Sequence, residues 1–140
     1  MKINSKRRYR SGLEEKISAQ ITAARLCVEY EMHKINYLVP ARAATYTPDF
    51  RLPNGRGGFF FVETKGLWDL EDRKKHLLIK EQYPELDIRL VFQNANARIY
   101  KKSKTTYAMF CHKNGFMFAH KKIPDDWLYP QEISDAANNS

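Results

Sequence analysis

Cysteine is scarce in this chain: Cys27 and Cys111 are the only two. They are too few for a disulfide framework, and unaided they cannot build a zinc site. Two reduced thiols are the expectation. Long apolar runs are absent, with none near the roughly 20 residues that span a bilayer. The basic first residues are not followed by the hydrophobic segment of a signal peptide, so a cytoplasmic location and no membrane partner are expected. Acidic charge is short as well. Sixteen Asp and Glu against 24 Lys and Arg leave a formal charge of +8, with a pI near 9.5. That excess favours a polyanionic partner, nucleic acid first. There is no internal repeat and no interdomain linker. At 140 residues, 43% of them hydrophobic, the chain can bury one core.

What is present gathers around residues 45–66. Two β-like runs, 45–52 and 59–65, flank Pro53-Asn54-Gly55-Arg56-Gly57-Gly58, a stretch suited to the positive φ angles of a reversal. An antiparallel hairpin centred near Arg56 puts Phe50 opposite Val62, Leu52 opposite Phe60, Asp49 opposite Glu63 and Thr47 opposite Lys65. Strand alternation then gathers Asp49, Glu63 and Lys65 on one face, with Phe50, Leu52, Phe60 and Val62 on the core face. Facing carboxylates repel, and a hard divalent cation such as Mg²⁺ or Mn²⁺ relieves the repulsion. Lys65 is placed to stabilise a developing phosphorane or to position the attacking water. Pro48-Asp49 followed by Glu63-Thr64-Lys65 resembles the PD-(D/E)xK nuclease signature. On the motif alone, a surface hairpin with a Glu/Lys pair is the bland competitor.

Residues 1–10 carry Lys2, Lys6, Arg7, Arg8 and Arg10 with no acidic residue, a basic arm that would order on a phosphate backbone. Ser11-Gly12-Leu13-Glu14 reads as a capping box opening a helix with Leu13, Ile17, Ile21 and Ala24 on one stripe. Glu14 is then a cap or an acid of the site, and local physics favours the cap. Residues 28–39 read as extended with a bend near His33 and Lys34, and 41–44 as a small-residue connector holding Arg42. Asp69 caps a second helix reaching Gln82, with Leu70, Leu77 and Leu78 on its buried side and Arg73, Lys74, Lys75 and His76 on a basic one. Residues 87–93 form a central strand, and Lys101, Lys102 and Lys104 a basic loop. A third helix over 105–113 stops at Asn114-Gly115, and Trp127 docks a last helical turn. The order is α/β, a mixed or antiparallel central sheet flanked by helices. A single domain covers 11–129, followed by a polar tail over 130–140.

Longer stretches carry a closer likeness. Arg10-Ser11-Gly12-Leu13-Glu14, Thr45-Tyr46-Thr47-Pro48-Asp49-Phe50, Val62-Glu63-Thr64-Lys65-Gly66-Leu67-Trp68 and Asp72-Arg73-Lys74-Lys75-His76-Leu77-Leu78-Ile79 are similar to endonuclease I of the T-odd bacteriophages, the phage Holliday-junction resolvases. The resemblance covers about Arg10 to Trp127. It implies a restriction-endonuclease-like core and a domain-swapped homodimer, with residues 28–44 bridging two lobes. It also implies composite sites: Asp49, Glu63 and Lys65 from one chain, Glu14 from the partner, overriding the cap. Asp49 and Glu63 would bind the metal, with the Thr64 backbone carbonyl a further ligand and one or two Mg²⁺ per site. Phosphate contacts are expected from Lys6, Arg7, Arg8, Arg10, Ser11, Lys16, Arg42, Arg73, Lys74, Lys75, His76, Lys101, Lys102 and Lys104.

Two departures from the family stand out. The tip at Gly55-Arg56-Gly57-Gly58 is longer, and residues 131–135 replace a basic tail, so affinity should lean on the N-terminal arm. The implied function is structure-selective, metal-dependent cleavage of four-way and other branched DNA, leaving 5′-phosphate and 3′-hydroxyl ends. A sequence-specific nuclease would need a recognition insertion, and none is evident. A non-catalytic junction binder would be expected to lack Asp49, Glu63 or Lys65, and all three are present.

Overall fold

The computed structural model describes residues 9–130. The expected arm residues Lys6, Arg7 and Arg8 and the polar segment 131–140 lie outside that range. Helix α1, Gly12–Ala23, is opened by Ser11, whose hydroxyl accepts from the Glu14 backbone N–H at 3.1 Å. Strands β1, Ile35–Val39, and β2, Arg42–Tyr46, form an antiparallel hairpin of their own. Strands β3, Phe50–Pro53, and β4, Phe59–Lys65, follow, then α2, Leu70–Gln82, and β5, Ile88–Phe92. Helix α3, Tyr107–Asn114, strand β6, Met117–His120, and the short α4, Asp125–Leu128, complete the chain.

The main sheet has the order β3-β4-β5-β6. β3 runs antiparallel to β4, while β4, β5 and β6 are parallel, because α2 and α3 supply the crossovers that parallel neighbours need. The architecture is therefore α/β with a mixed sheet flanked by helices. The expected register holds, with Phe50 opposite Val62 and Leu52 opposite Phe60. At the tip, Gly55 and Gly57 take φ of 80° and 85°, and the Asn54 side chain accepts from the Arg56 and Gly58 backbone N–H groups.

Alternation along the strands splits the core in two. Leu13, Ile17 and Ile21 of α1 pack on Phe50, Leu52, Phe60, Val62 and Val91, closed by Trp127 and Leu128. Leu90 and Phe92 point the other way, to Trp68, Tyr107, Cys111 and Phe116. A third cluster, Tyr37, Tyr46 and Ile79, fastens the β1–β2 hairpin to α2.

Three expectations are corrected. The run 45–52 is two strands, since Thr47, Pro48 and Asp49 lie outside any ladder and Pro48 has no N–H to donate. Asp49 therefore does not pair with Glu63, nor Thr47 with Lys65; the ladder partners of Glu63 and Lys65 are Leu90 and Phe92 of β5. The supposed connector 41–44 is mostly strand β2. Of the extended run 28–39 only Ile35–Val39 is a strand, the chain bending at 31–34 where a bend was expected, with Glu31 at a φ of 50°. Finally, α2 buries Arg73, His76 and Ile79, whereas Leu70 is 53% exposed.

Candidate active site

The ladder between β3 and β4 ends at Phe50 and Val62, and the strands part there. Asp49 steps out of the ladder, and its Oδ2 accepts from the Thr64 backbone N–H at 2.9 Å and the Thr64 hydroxyl at 2.8 Å. Glu63, on the alternate face of β4, turns towards α2 and the hairpin. There its Oε1 accepts from the Tyr46 hydroxyl at 2.7 Å, and its Oε2 lies 3.6 Å from Lys65 Nζ. Lys65 also reaches Asp72 Oδ2 at 3.3 Å, and Asp72 in turn stands 3.8 Å from Lys75. Asp49, Glu63 and Thr64 are each less than 9% exposed.

Asp49, Glu63, Thr64 and Lys65 line one cleft of about 490 Å³, together with Arg10, Ser11, Glu14, Glu31, Gly66, Leu67 and Lys75. Glu14 is buried although it opens a helix, and its Oε2 accepts from the Tyr30 hydroxyl at 2.9 Å. Only the Ser11 half of the expected capping box forms, so Glu14 is not the reciprocal cap. Glu14 reaches the cleft within a single chain, where the resemblance assigned that position to a partner.

Burial dominates the electrostatics. It pushes the Asp49 carboxyl well above its ordinary pKa, and Glu63 adds repulsion, against which the two Thr64 hydrogen bonds act. Glu63 is raised by burial too, with Lys65 and Tyr46 working to keep it charged. Burial disfavours the Lys65 ammonium, but Glu63 and Asp72 outweigh it and its pKa rises. Tyr46 is raised by burial and then by Glu63, so its hydroxyl stays protonated.

Two buried carboxyl groups, one of them raised by the other's charge, with oxygen donors only, are the chemistry of a hard-cation site. Among the described residues no three His, Cys, Asp or Glu side chains form a ready-made ligand cage. Mg²⁺ does not need one, since it binds through one or two carboxylates and keeps several waters. Asp49 and Glu63 therefore fit it.

The expected phosphate contacts divide. Arg10, Ser11 and Lys75 line the cleft, and Lys16 lies in an adjoining hollow with Ser11, Gly66 and Gln93. Arg42 and Lys74 line a separate groove between the hairpin and α2. Lys101, Lys102 and Lys104 are exposed. Arg73 and His76 are corrections: both are interior. Arg73 donates to the carbonyls of Trp68 and Ile99, and His76 packs against the Tyr46 and Trp68 rings. A basic run on a helix cannot face one way throughout, because residues three apart share a face, and Arg73, His76 and Ile79 are the buried one.

Sequence reasoning missed Tyr46, Asp72 and the Thr64 side chain as partners of the acidic and basic groups. The sequence held only a faint signal for Asp72, an acid seven residues after Lys65 on a helix that must fold back over the sheet. For Tyr46 there was none.

A sequence model of the family described as phage endonuclease I matches residues 1–138. The chain is 55% identical over 120 residues to a protein named Endonuclease I from Escherichia phage T7, covering 86% of this chain and 78% of that one. It is 53% identical over 118 residues to Endodeoxyribonuclease 1 of Enterobacteria phage T3, covering 84% and 75%. With the acidic pair, the lysine and a match over almost its whole length, the chain belongs to the phage endonuclease I family.

Proposed function

We propose that this protein is a Mg²⁺-dependent DNA endonuclease that cuts branched DNA, four-way junctions above all, leaving 5′-phosphate and 3′-hydroxyl ends. The observation that carries the reading is the buried pair Asp49 and Glu63, with Lys65 Nζ 3.6 Å from Glu63, in one cleft, on a chain whose relatives are named endonucleases.

Asp49 and Glu63 would hold the cation, with the Thr64 carbonyl a candidate third oxygen. When bound, the cation supplies Lewis acidity for the scissile phosphate and a nucleophilic water at neutral pH. Thr64 keeps Asp49 oriented through its two hydrogen bonds. Lys65 places positive charge where the transition-state phosphate becomes more negative, in a site that excludes water from most of its side chain. Arg10, Lys16 and Lys75 offer charge for the flanking backbone, which positions DNA without reading its sequence.

Two such sites acting together suit paired incisions, and we place them in a homodimer. Opening the β1–β2 hairpin at Pro40 and Ala41 would let β1 of one chain pair with β2 of its partner. The ladder of the hairpin would be kept, and α1 with its Glu14 would pass to the partner's cleft.

The test is cleavage of an immobile four-way junction beside a linear duplex of the same sequence, with Mg²⁺, with Ca²⁺ and with Glu63→Ala protein. Paired junction nicks that need Mg²⁺ and Glu63 support the reading. Equal cutting of the duplex removes the structural selectivity, and binding without cutting under Mg²⁺ removes the enzyme.

A further inference from the structure

We propose that Tyr46 is a positioning residue of the site: its hydroxyl clamps one oxygen of Glu63 and so presents the other to the cation. The inference rests on the reading of Glu63 as a cation ligand. The two oxygens of Glu63 meet different surroundings. Oε1 takes the Tyr46 hydroxyl at 2.7 Å, while Oε2 stands beside Lys65 at 3.6 Å. A hydroxyl donated to a buried carboxylate is a strong, directional bond, and it fixes the one torsion by which the carboxylate could exchange its oxygens.

The clamp is itself held rigidly. Tyr46 is 2% exposed and packs with Tyr37 and Ile79. Its ring meets His76 edge-on, with centroids 5.2 Å apart, and Lys75 Nζ lies 5.5 Å from its centroid on the cleft side. As the last residue of β2, it joins the docked hairpin to the segment Thr47-Pro48-Asp49. One short stretch thus delivers Asp49 to the cleft and fixes Glu63 within it. Groups that hold a ligating carboxylate in this way typically govern metal affinity by about 10- to 100-fold.

The experiment is calorimetric titration of Mn²⁺ into wild type, Tyr46→Phe and Glu63→Ala, with thermal unfolding measured alongside. Cleavage is then followed as a function of Mg²⁺. Tyr46→Phe keeps the ring and removes only the donor. Its Mn²⁺ affinity is expected to fall about 10- to 100-fold, with cleavage regained at high Mg²⁺ and the KM for DNA unchanged. A purely structural tyrosine would shift the unfolding temperature and leave the metal response alone. Because phenylalanine fills the same space, an unfolding temperature close to wild type separates loss of the donor from a folding defect. Wild-type Mn²⁺ affinity in Tyr46→Phe overturns the role of Tyr46 while leaving Glu63 in place. Wild-type affinity in Glu63→Ala overturns the ligand reading and this inference with it.

Discussion

Lys65 is held between two acids: its Nζ lies 3.3 Å from Asp72 Oδ2 and 3.6 Å from Glu63 Oε2. Asp72 sits in the first turn of α2, capped through its own N–H by Asp69 at 2.8 Å, so a helix end sets the place of the strand's lysine. Removing the charge by Asp72→Asn should slow cleavage about tenfold, as loss of an outer partner commonly does, with DNA binding in Ca²⁺ little changed. Lys65→Ala should cost on the order of 10²–10³, the size of a lost electrostatic stabiliser. Single-turnover rates measure both. A larger loss in Asp72→Asn than in Lys65→Ala would mean that Asp72 acts on more than Lys65.

Neutralising one carboxylate should trade activity for stability. Asp49 and Glu63 are both buried, and Glu63 disfavours the charge on Asp49. In Asp49→Asn an amide oxygen can still accept from Thr64, while the repulsion disappears. In chelator-treated protein this variant should unfold at a higher temperature than wild type and show no cleavage when Mg²⁺ is restored. An unchanged or lower unfolding temperature would show that Lys65 already offsets the repulsion.

His76 gives the fold an acid limit. Burial first, then Lys65 and Lys75, lowers its pKa from 6.5 to about 3. Between those values the unfolded chain binds a proton that the folded one refuses. Its contribution to stability is therefore present above the unfolded value and lost as pH falls, by up to about 1.4 kcal/mol per pH unit. Urea unfolding of wild type and His76→Asn from pH 7 to pH 4 isolates the effect. The variant should be weaker at pH 7, and the gap should close towards pH 4. A gap independent of pH would assign His76 to packing alone.

Trp68 is fully buried and touches Phe92, Tyr107, Phe110 and Phe116. Trp68→Ala should cost about 3–5 kcal/mol by denaturant titration. Trp68→Phe should cost much less, since the indole N–H it removes is buried with no hydrogen-bond partner among the described residues. A penalty beyond the cavity cost of the smaller ring would reveal a partner for that N–H.

Local signals carried the elements. The Ser11 and Asp69 caps, the Gly115 stop at φ 74° and the glycine tip all act over a few residues, and such signals are legible in a sequence. So was the β3–β4 register, because strand alternation and turn position fix it together. The arithmetic picked out Asp49, Glu63 and Lys65, and the family stretches reinforced them, but the ladder it drew for them stops at Phe50 and Val62.

What the sequence by itself determined is thus the chemistry on offer: which acids, which lysine, on which strand, in which family. Tertiary structure alone decided how these groups are held. Glu14 left its cap for Tyr30, Asp49 stepped out of the ladder onto Thr64, Glu63 turned to Tyr46, and Arg73 and His76 went inside. The physical reason is that each choice joins elements far apart in the chain. A buried charge or hydroxyl must find its partner wherever packing brings one, and no local pattern records where that is.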